Sequence, residues 1–242
     1  MSRQGMVFNA AMGQFQQEVV RWNRQINLVS RKGTLARVAD LIGQCRDAWM
    51  ELNSAEFASW DAADSVWYFD LGSGGGLPGY VWHQLLSARF DNLKTWLVEP
   101  REKRAWFLER LNKITPERPL QVWNARWCET PAVGDLGQSD MAPAKVLISM
   151  KALKLSDPVV LAGLEAALGE ATLPAGGVVA IARFYPPDQK WTSGLAEELE
   201  IATEALVVGG VTYQPVRQEV VSPKSKRPMA ASLVLSTYEV SV

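Results

Sequence analysis

Residues 68–79 read Tyr-Phe-Asp-Leu-Gly-Ser-Gly-Gly-Gly-Leu-Pro-Gly, an apolar strand running into a glycine cluster and then a proline that can open a helix. Val66 and the aromatic residues up to Phe69 suit a buried strand. Four of the five residues from Gly72 to Gly76 are glycine, so the backbone can turn sharply there with no Cβ in the way. Something bulky must approach the main chain at that turn. Pro78 fits the first helical turn, where its missing N–H costs nothing, and the free N–H groups of such a turn face a ligand. The segment therefore predicts one unit of a parallel α/β sheet that holds a nucleotide-like ligand.

Two ligand classes compete for it. Gly74, Gly76 and Gly79 satisfy the spacing G-x-G-x-x-G, which leaves a dinucleotide such as NAD open. Asp70 tilts the choice. A carboxylate beside the glycine turn repels a pyrophosphate but suits the ammonium of an amino acid, which S-adenosylmethionine carries together with a sulfonium. A second strand over Thr95, Trp96, Leu97 and Val98 ends at Glu99, twenty residues beyond Gly79, where an acid can accept hydrogen bonds from both ribose hydroxyls. Helix capping is the alternative role for each acid.

Hydrophobic spacing organises the rest of the chain. Phe8, Met12, Phe15, Val19, Trp22 and Ile26 recur at steps of four and three, the stripe of an amphipathic helix that docks on the sheet domain. Leu35, Val38, Leu41, Ile42, Cys45, Trp49 and Leu52 form a second stripe, with Thr34 as its N-cap after Gly33. Beyond a polar connection at 54–64, strands and helices alternate: strand 66–70, helix 78–88, strand 95–99, helix 102–113, strands 120–124 and 145–149, helix 157–169 and strand 177–183. Alternation of this kind demands a mostly parallel sheet. Two β-rich stretches follow at 201–213 and 232–240, separated by Pro215, Pro223 and Pro228. The joint near residue 64 is the strongest boundary, dividing a helical extension (1–64) from a sheet domain (65–242).

Composition sets limits. With 242 residues, 48% of them hydrophobic, the chain can bury a sizeable single core. Cys45 and Cys128 form neither metal spacing nor a disulfide framework, and no long apolar run or signal peptide is seen, so a reducing cytoplasm is expected. Cys128, next to Trp127, is expected to be buried. The one histidine, His83, is assigned a surface or packing role, which excludes a metal centre or a Ser-His-Asp site. A net charge of −1 argues against a strongly electrostatic nucleic-acid binder. Local basic clusters soften this: Arg21, Arg24, Arg31 and Lys32; Arg101, Lys103 and Arg104; Lys151 and Lys154; Lys224, Lys226 and Arg227.

Four segments carry a family resemblance: Trp22 with Asn27-Leu28, the run Asp70-Leu71-Gly72-Ser73-Gly74-Gly75-Gly76-Leu77-Pro78-Gly79, the run from Glu99-Pro100-Arg101 through Lys103-Arg104 to Phe107-Leu108, and Arg126 with Glu129. In order and spacing, over roughly residues 8–160, the chain resembles the glucose-inhibited division protein B family, the 16S rRNA guanine-N7 methyltransferase G enzymes. That resemblance implies a class I S-adenosylmethionine-dependent methyltransferase fold, Rossmann-like, with a seven-stranded, mostly parallel sheet closed by an antiparallel pair and an N-terminal helical extension. It implies that Asp70, Gly72, Ser73, Gly74, Gly76, Leu77, Glu99, Pro100, Arg126 and Trp127 bind S-adenosylmethionine, with Lys151 and Arg126 at the reaction centre. Lys151, Lys154, Lys224, Lys226 and Arg227 are the candidates to face ribosomal RNA or the small subunit, bound by a monomer.

Two positions depart from the family pattern. Arg-His-x-x-Asp-Ser becomes Gly43-Gln44-Cys45-Arg46-Asp47-Ala48, and Ser-Arg-Ala after the fourth strand becomes Ser149-Met150-Lys151-Ala152. Arg to Lys is not conservative where a planar fork is used. These changes keep two alternatives open: a methyltransferase for a small molecule or protein, and a cofactor-binding protein associated with ribosomes that has lost turnover.

Acceptor chemistry narrows the choice further. Guanine N7 offers an unprotonated lone pair, so its methylation needs orientation rather than a general base. An exocyclic amine site would show an Asn/Asp-Pro-Pro-aromatic loop after the fourth strand, and this chain has Ser149-Met150-Lys151 there. Cytosine C5 chemistry needs an activated thiolate, for which neither cysteine has the setting. Among the tryptophans, Trp22, Trp49, Trp96 and Trp106 are assigned to the core, and Trp82 and Trp127 are the candidates for base stacking.

Overall fold

Six of the seven residues of β1 (Ser65–Leu71) are buried, as a strand covered on both faces must be, and this strand centres the sheet. The computed structural model describes residues 3–31, 33–134, 142–185, 201–221 and 232–241. In chain order its elements are α1 (Arg3–Trp22), α2 (Thr34–Ala55), β1, α3 (Gly79–Leu86), β2 (Asn92–Val98), α4 (Glu102–Arg110), β3 (Gln121–Trp123), β4 (Lys145–Lys151), α5 (Asp157–Leu168), β5 (Val178–Tyr185), β6 (Leu206–Val208), β7 (Val211–Val221) and β8 (Ser232–Ser241).

The sheet has the order β3-β2-β1-β4-β5-β8-β7-β6. Strands β1 to β5 pair in parallel, and β8 enters antiparallel between β5 and β7. Among the described residues there are thus eight strands, one more than expected. The extra strand is β6, folded back on β7 through Gly209 and Gly210 at φ 59° and 86°. Two consecutive left-handed residues match the right-handed twist of a tight hairpin, and glycine reaches that region without a Cβ penalty. Pro215 lies within β7, at a shift of register between Pro215 and Arg217, rather than between strands.

Each face of the sheet has its own core. Side chains of α1, α2, α3 and α4 pack on one face, where Phe15, Val38, Trp49, Trp82 and Phe107 join Tyr68 and Leu147. Helix α5 covers the other, where Val160, Leu161 and Leu164 meet Trp67, Phe69 and Ile148. A buried ion pair between Arg183 of β5 and Asp157 of α5, with the Tyr238 hydroxyl donating to the same carboxylate, ties the end of β5 to the start of α5.

Several local expectations are corrected. Gly33, at φ 63°, is the residue that starts α2; Thr34 is already helical and its hydroxyl donates back to Arg31 O at 3.0 Å. Leu35 is exposed although it extends the stripe. Trp106 is 43% exposed because α4 turns Ala105, Phe107 and Leu108 inward, while Trp82 is fully buried and donates to Cys45 O at 2.8 Å, so it cannot stack on a base. Cys128 is exposed, since the chain leaves β3 at the rim of a cleft.

Candidate active site

The chain order reverses between β1 and β4, and at the carboxyl ends of β1, β2 and β4 lies a cleft of about 500 Å³. This is where an open α/β sheet places its ligand, and the volume falls within the roughly 300–1,000 Å³ of small-molecule sites. The residues that shape it come from four connections.

The turn after β1 supplies the floor. Gly72, Gly74 and Gly76 have φ of 69°, 55° and 83°, a region that side chains disfavour. The N–H groups of Gly72 and Ser73 both donate to Val98 O, at 2.8 and 3.1 Å, which locks the turn onto the end of β2. Gly72 lines the cleft, whereas Gly76 is packed beneath the surface against Phe15, Tyr80 and Leu111. Ser73 and Leu77 are likewise buried and, like Gly74 and Gly76, are not part of the cleft lining.

Glu99 follows β2 and lines the cleft although only 3% exposed. One carboxylate oxygen accepts from Gly74 N and the other from Arg101 N, both at 2.9 Å. This acid therefore clamps the glycine turn to the entry of α4. Each oxygen has a further lone pair, so the same carboxylate can still accept from a ligand hydroxyl.

Asp70 sits one layer deeper and outside the cleft lining. One oxygen accepts from the Ser149 hydroxyl, which lies 2.8 Å from the Tyr68 hydroxyl. The other faces Gly79, with no partner of hydrogen-bonding geometry among the described residues. Burial pushes the Asp70 carboxyl up to about 7, with the Ser149 hydroxyl pulling the other way. The same burial and the Asp70 charge push the Tyr68 hydroxyl well above its ordinary value.

The walls come from β3 and β4. Trp127 is buried and donates to Val160 O at 3.0 Å; a Cβ on Gly163 would lie 2.1 Å from its indole nitrogen, so the ring occupies the space that glycine leaves. Exposed Arg126, Cys128 and Glu129 stand beside it. Across the cleft, Ala152 adopts φ 57°, an uncommon region for a residue with a Cβ and one that clusters at functional sites. Leu153, Leu155 and Val159 complete that wall, and Arg183 holds Leu155 O at 3.1 Å from behind. Lys151 lines the cleft at the end of β4, its Nζ 5.9 Å from the centre of the Phe184 ring.

Of the sequence candidates, Gly72, Glu99, Pro100, Arg126, Trp127 and Lys151 thus share one cleft. Lys154 is exposed but outside the lining, and Lys224, Lys226 and Arg227 lie outside the described residues. Arg101, Arg104, Ala152, Leu153 and Val159 line it without having been assigned to a site from sequence. For the two arginines a signal existed in the basic run after Glu99; the apolar wall of α5 carried none, because a single apolar side chain gives no periodic cue to which face it serves.

A family model described as rRNA small subunit methyltransferase G matches residues 8–155. The chain belongs to this family. The matched segment of the methyltransferase G family contains most of α1, the glycine turn, Glu99 and Lys151, so the cleft lies almost wholly within it. Ribosomal RNA small subunit methyltransferase G of Cereibacter sphaeroides is 33% identical over 95 residues, 39% of this chain and 41% of that protein. The protein of the same name from Methylobacterium radiotolerans is 32% identical over 92 residues, 38% of this chain and 41% of its own length. The aligned stretch thus spans about two fifths of these relatives. MtNAS, solved in complex with MTA and tNA, superposes with a TM-score of 0.50 at 13% identity, covering 95% of this chain and 70% of that one, a likeness of fold. The fold is that of the class I methyltransferases.

Proposed function

We propose that the chain is an S-adenosylmethionine-dependent methyltransferase whose acceptor is guanine N7 of small-subunit (16S) ribosomal RNA, acting as a cytoplasmic monomer. The observation that carries the proposal is the convergence of Gly72, Glu99, Arg126, Trp127 and Lys151 on one cleft in a chain of the methyltransferase G family. The residues present fit the cofactor. Gly72 leaves main chain open at the floor, Glu99 keeps lone pairs for ribose hydroxyls, and Val98, Trp127, Leu155 and Val159 give an apolar wall for an adenine ring. Asp70, buried one layer down, supports the site from beneath by its bond from the Ser149 hydroxyl, which ties the end of β1 to β4.

When bound, S-adenosylmethionine supplies an electrophilic methyl group on a sulfonium. The chain's own task is then to orient the base. Guanine N7 carries its lone pair at neutral pH, so no side chain has to remove a proton; Lys151 and Arg126, at the cleft rim, can donate to guanine O6 or to flanking phosphates. No helix among the described residues is long and apolar enough to cross a membrane.

A second acceptor class is favoured by one observation: the basic residue after the fourth strand is Lys151, shifted by one position from the family's arginine or replacing it, and its Nζ lies 5.9 Å from the centre of the Phe184 ring. Where a planar fork would be used, lysine offers only a point charge. Incubation of the purified chain with methyl-labelled cofactor and either small-subunit RNA or an RNA-free cell extract, followed by mapping of N7-methylguanine and of label in the extract, separates the two. Label in RNA at N7 is the expected result. Label only in a small molecule or protein would assign the other acceptor, and cofactor binding without any transfer would assign a non-catalytic role.

A further inference from the structure

Where α1 ends against α4, Trp22 and Trp106 meet edge to face with centroids 4.9 Å apart. The Arg110 guanidinium lies 4.8 Å from the first ring and 5.0 Å from the second. Arg21 adds a second cation over Trp22, at 5.5 Å. Glu18 accepts from the Trp22 indole at 2.9 Å and pairs with Arg21 at 3.6 Å. Trp106 remains 43% exposed, in a chain that fully buries Trp67, Trp82 and Trp96. Lys103, Trp106 and Arg110 recur at steps of three and four, so they share one face of α4.

That face is continuous with the candidate active site. Arg101 and Arg104 line the cleft and also a neighbouring hollow of about 440 Å³ bounded by Gln25, Ile26 and Asn27. Arg104 bridges the two sides by donating to Asn27 O at 2.7 Å. A path on which Arg101, Lys103 and Arg104 outnumber Glu102 therefore leads from the cleft towards an exposed indole. Cations follow a phosphate backbone, and an aromatic face stacks an unpaired base of any sequence.

Resting on the function proposed above, we infer that Trp106, braced by Arg110 and Trp22, stacks an unpaired nucleobase of substrate RNA that flanks the base held in the cleft. The test is equilibrium binding of an end-labelled small-subunit RNA fragment containing an unpaired loop, measured by fluorescence anisotropy for the wild type, W106A and W106F. Calorimetric affinity for S-adenosylmethionine and circular dichroism run beside it as integrity checks. Loss of a stacked base should weaken loop binding by W106A about tenfold. W106F should recover most of the loss, binding of a fully paired duplex should change less than about twofold, and cofactor affinity should be unchanged. Loop binding by W106A equal to that of the wild type overturns the surface and leaves the proposed function standing. A wild-type chain that binds no ribosomal RNA overturns both. A wild-type dimer that W106A dissolves in sedimentation, with RNA affinity unchanged, makes the face a contact between copies and likewise overturns the inference.

Discussion

Asp70 and Glu99 look alike as acids at the ends of adjacent strands, yet the structure gives them different surroundings. Asp70 is buried, with one oxygen facing the Gly79 main chain and no partner of hydrogen-bonding geometry for it among the described residues, and its carboxyl is pushed up to about 7, whereas Glu99 is held by two main-chain N–H groups at the cleft. The folded state thus holds the Asp70 proton more tightly than the unfolded chain, where a carboxyl titrates near 4. Between those two values the native state binds more protons, so this residue's contribution to stability falls as pH rises from about 4 to about 7 and is constant above. Asp70→Asn should remove that slope: the denaturant midpoint of the wild type, relative to the variant, should fall from pH 5 to pH 8. Parallel curves would mean that Asp70 is not perturbed. Glu99→Gln should weaken S-adenosylmethionine binding by about 1.5–3 kcal/mol for each charge-assisted hydrogen bond lost. Unchanged calorimetric affinity would remove Glu99 from the site.

Between elements, two glycine contacts decide geometry. A Cβ at Gly163 would come within 2.1–2.6 Å of three Trp127 ring atoms, so Gly163→Ala must expel the indole from its bond to Val160 O. Overpacking of this kind costs about 1–3 kcal/mol. Because Trp127 walls the cleft, the variant should lose cofactor affinity along with thermal stability; a drop in melting temperature with cofactor binding intact would show that the ring does not shape the site. The β6–β7 hairpin offers a simpler case. Gly210→Val places a branched residue at φ 86° and should destabilise by at least about 1–2 kcal/mol, while Gly209→Asn, at φ 59°, should be tolerated. Equal chemical-denaturation midpoints for the two would contradict the turn geometry.

Over the whole molecule, net charge and site charge diverge. The chain carries −1 overall, yet Arg101, Arg104, Arg126 and Lys151 gather at one cleft. With these four cations and Lys103 of the adjoining hollow available to phosphates, the salt dependence of RNA affinity should be modest, a log–log slope no steeper than about −3.5 for single strands. A much steeper slope, measured by anisotropy between 50 and 200 mM salt, would require a wider basic surface than this cleft.

How far this was legible depends on range. The strand–glycine–helix unit, the alternation of strands and helices and the stripes of α1 and α2 were visible because each is a local pattern of period 2 or 3.6, or a backbone requirement that only glycine meets. Glu99 was found by its distance from the glycine turn, and its place in the cleft follows from the βαβ unit itself. The eighth strand was announced by Gly209-Gly210, a two-residue turn signal hidden inside one apolar stretch. By contrast, the different fates of Trp82 and Trp106 were only partly legible. Trp82 lies in an apolar run, Gly79–Leu86, and Trp106 in a charged one, Glu102–Arg110, but it is the packing of α1 and α2 over α3 that buries the first, while α4 presents the second to solvent beside Arg110. The separation of Asp70 from Glu99 has the same origin. Periodicity fixes which face of an element is apolar, but what covers that face, and hence which acid is desolvated and which ring stays wet, depends on contacts between residues far apart in the chain.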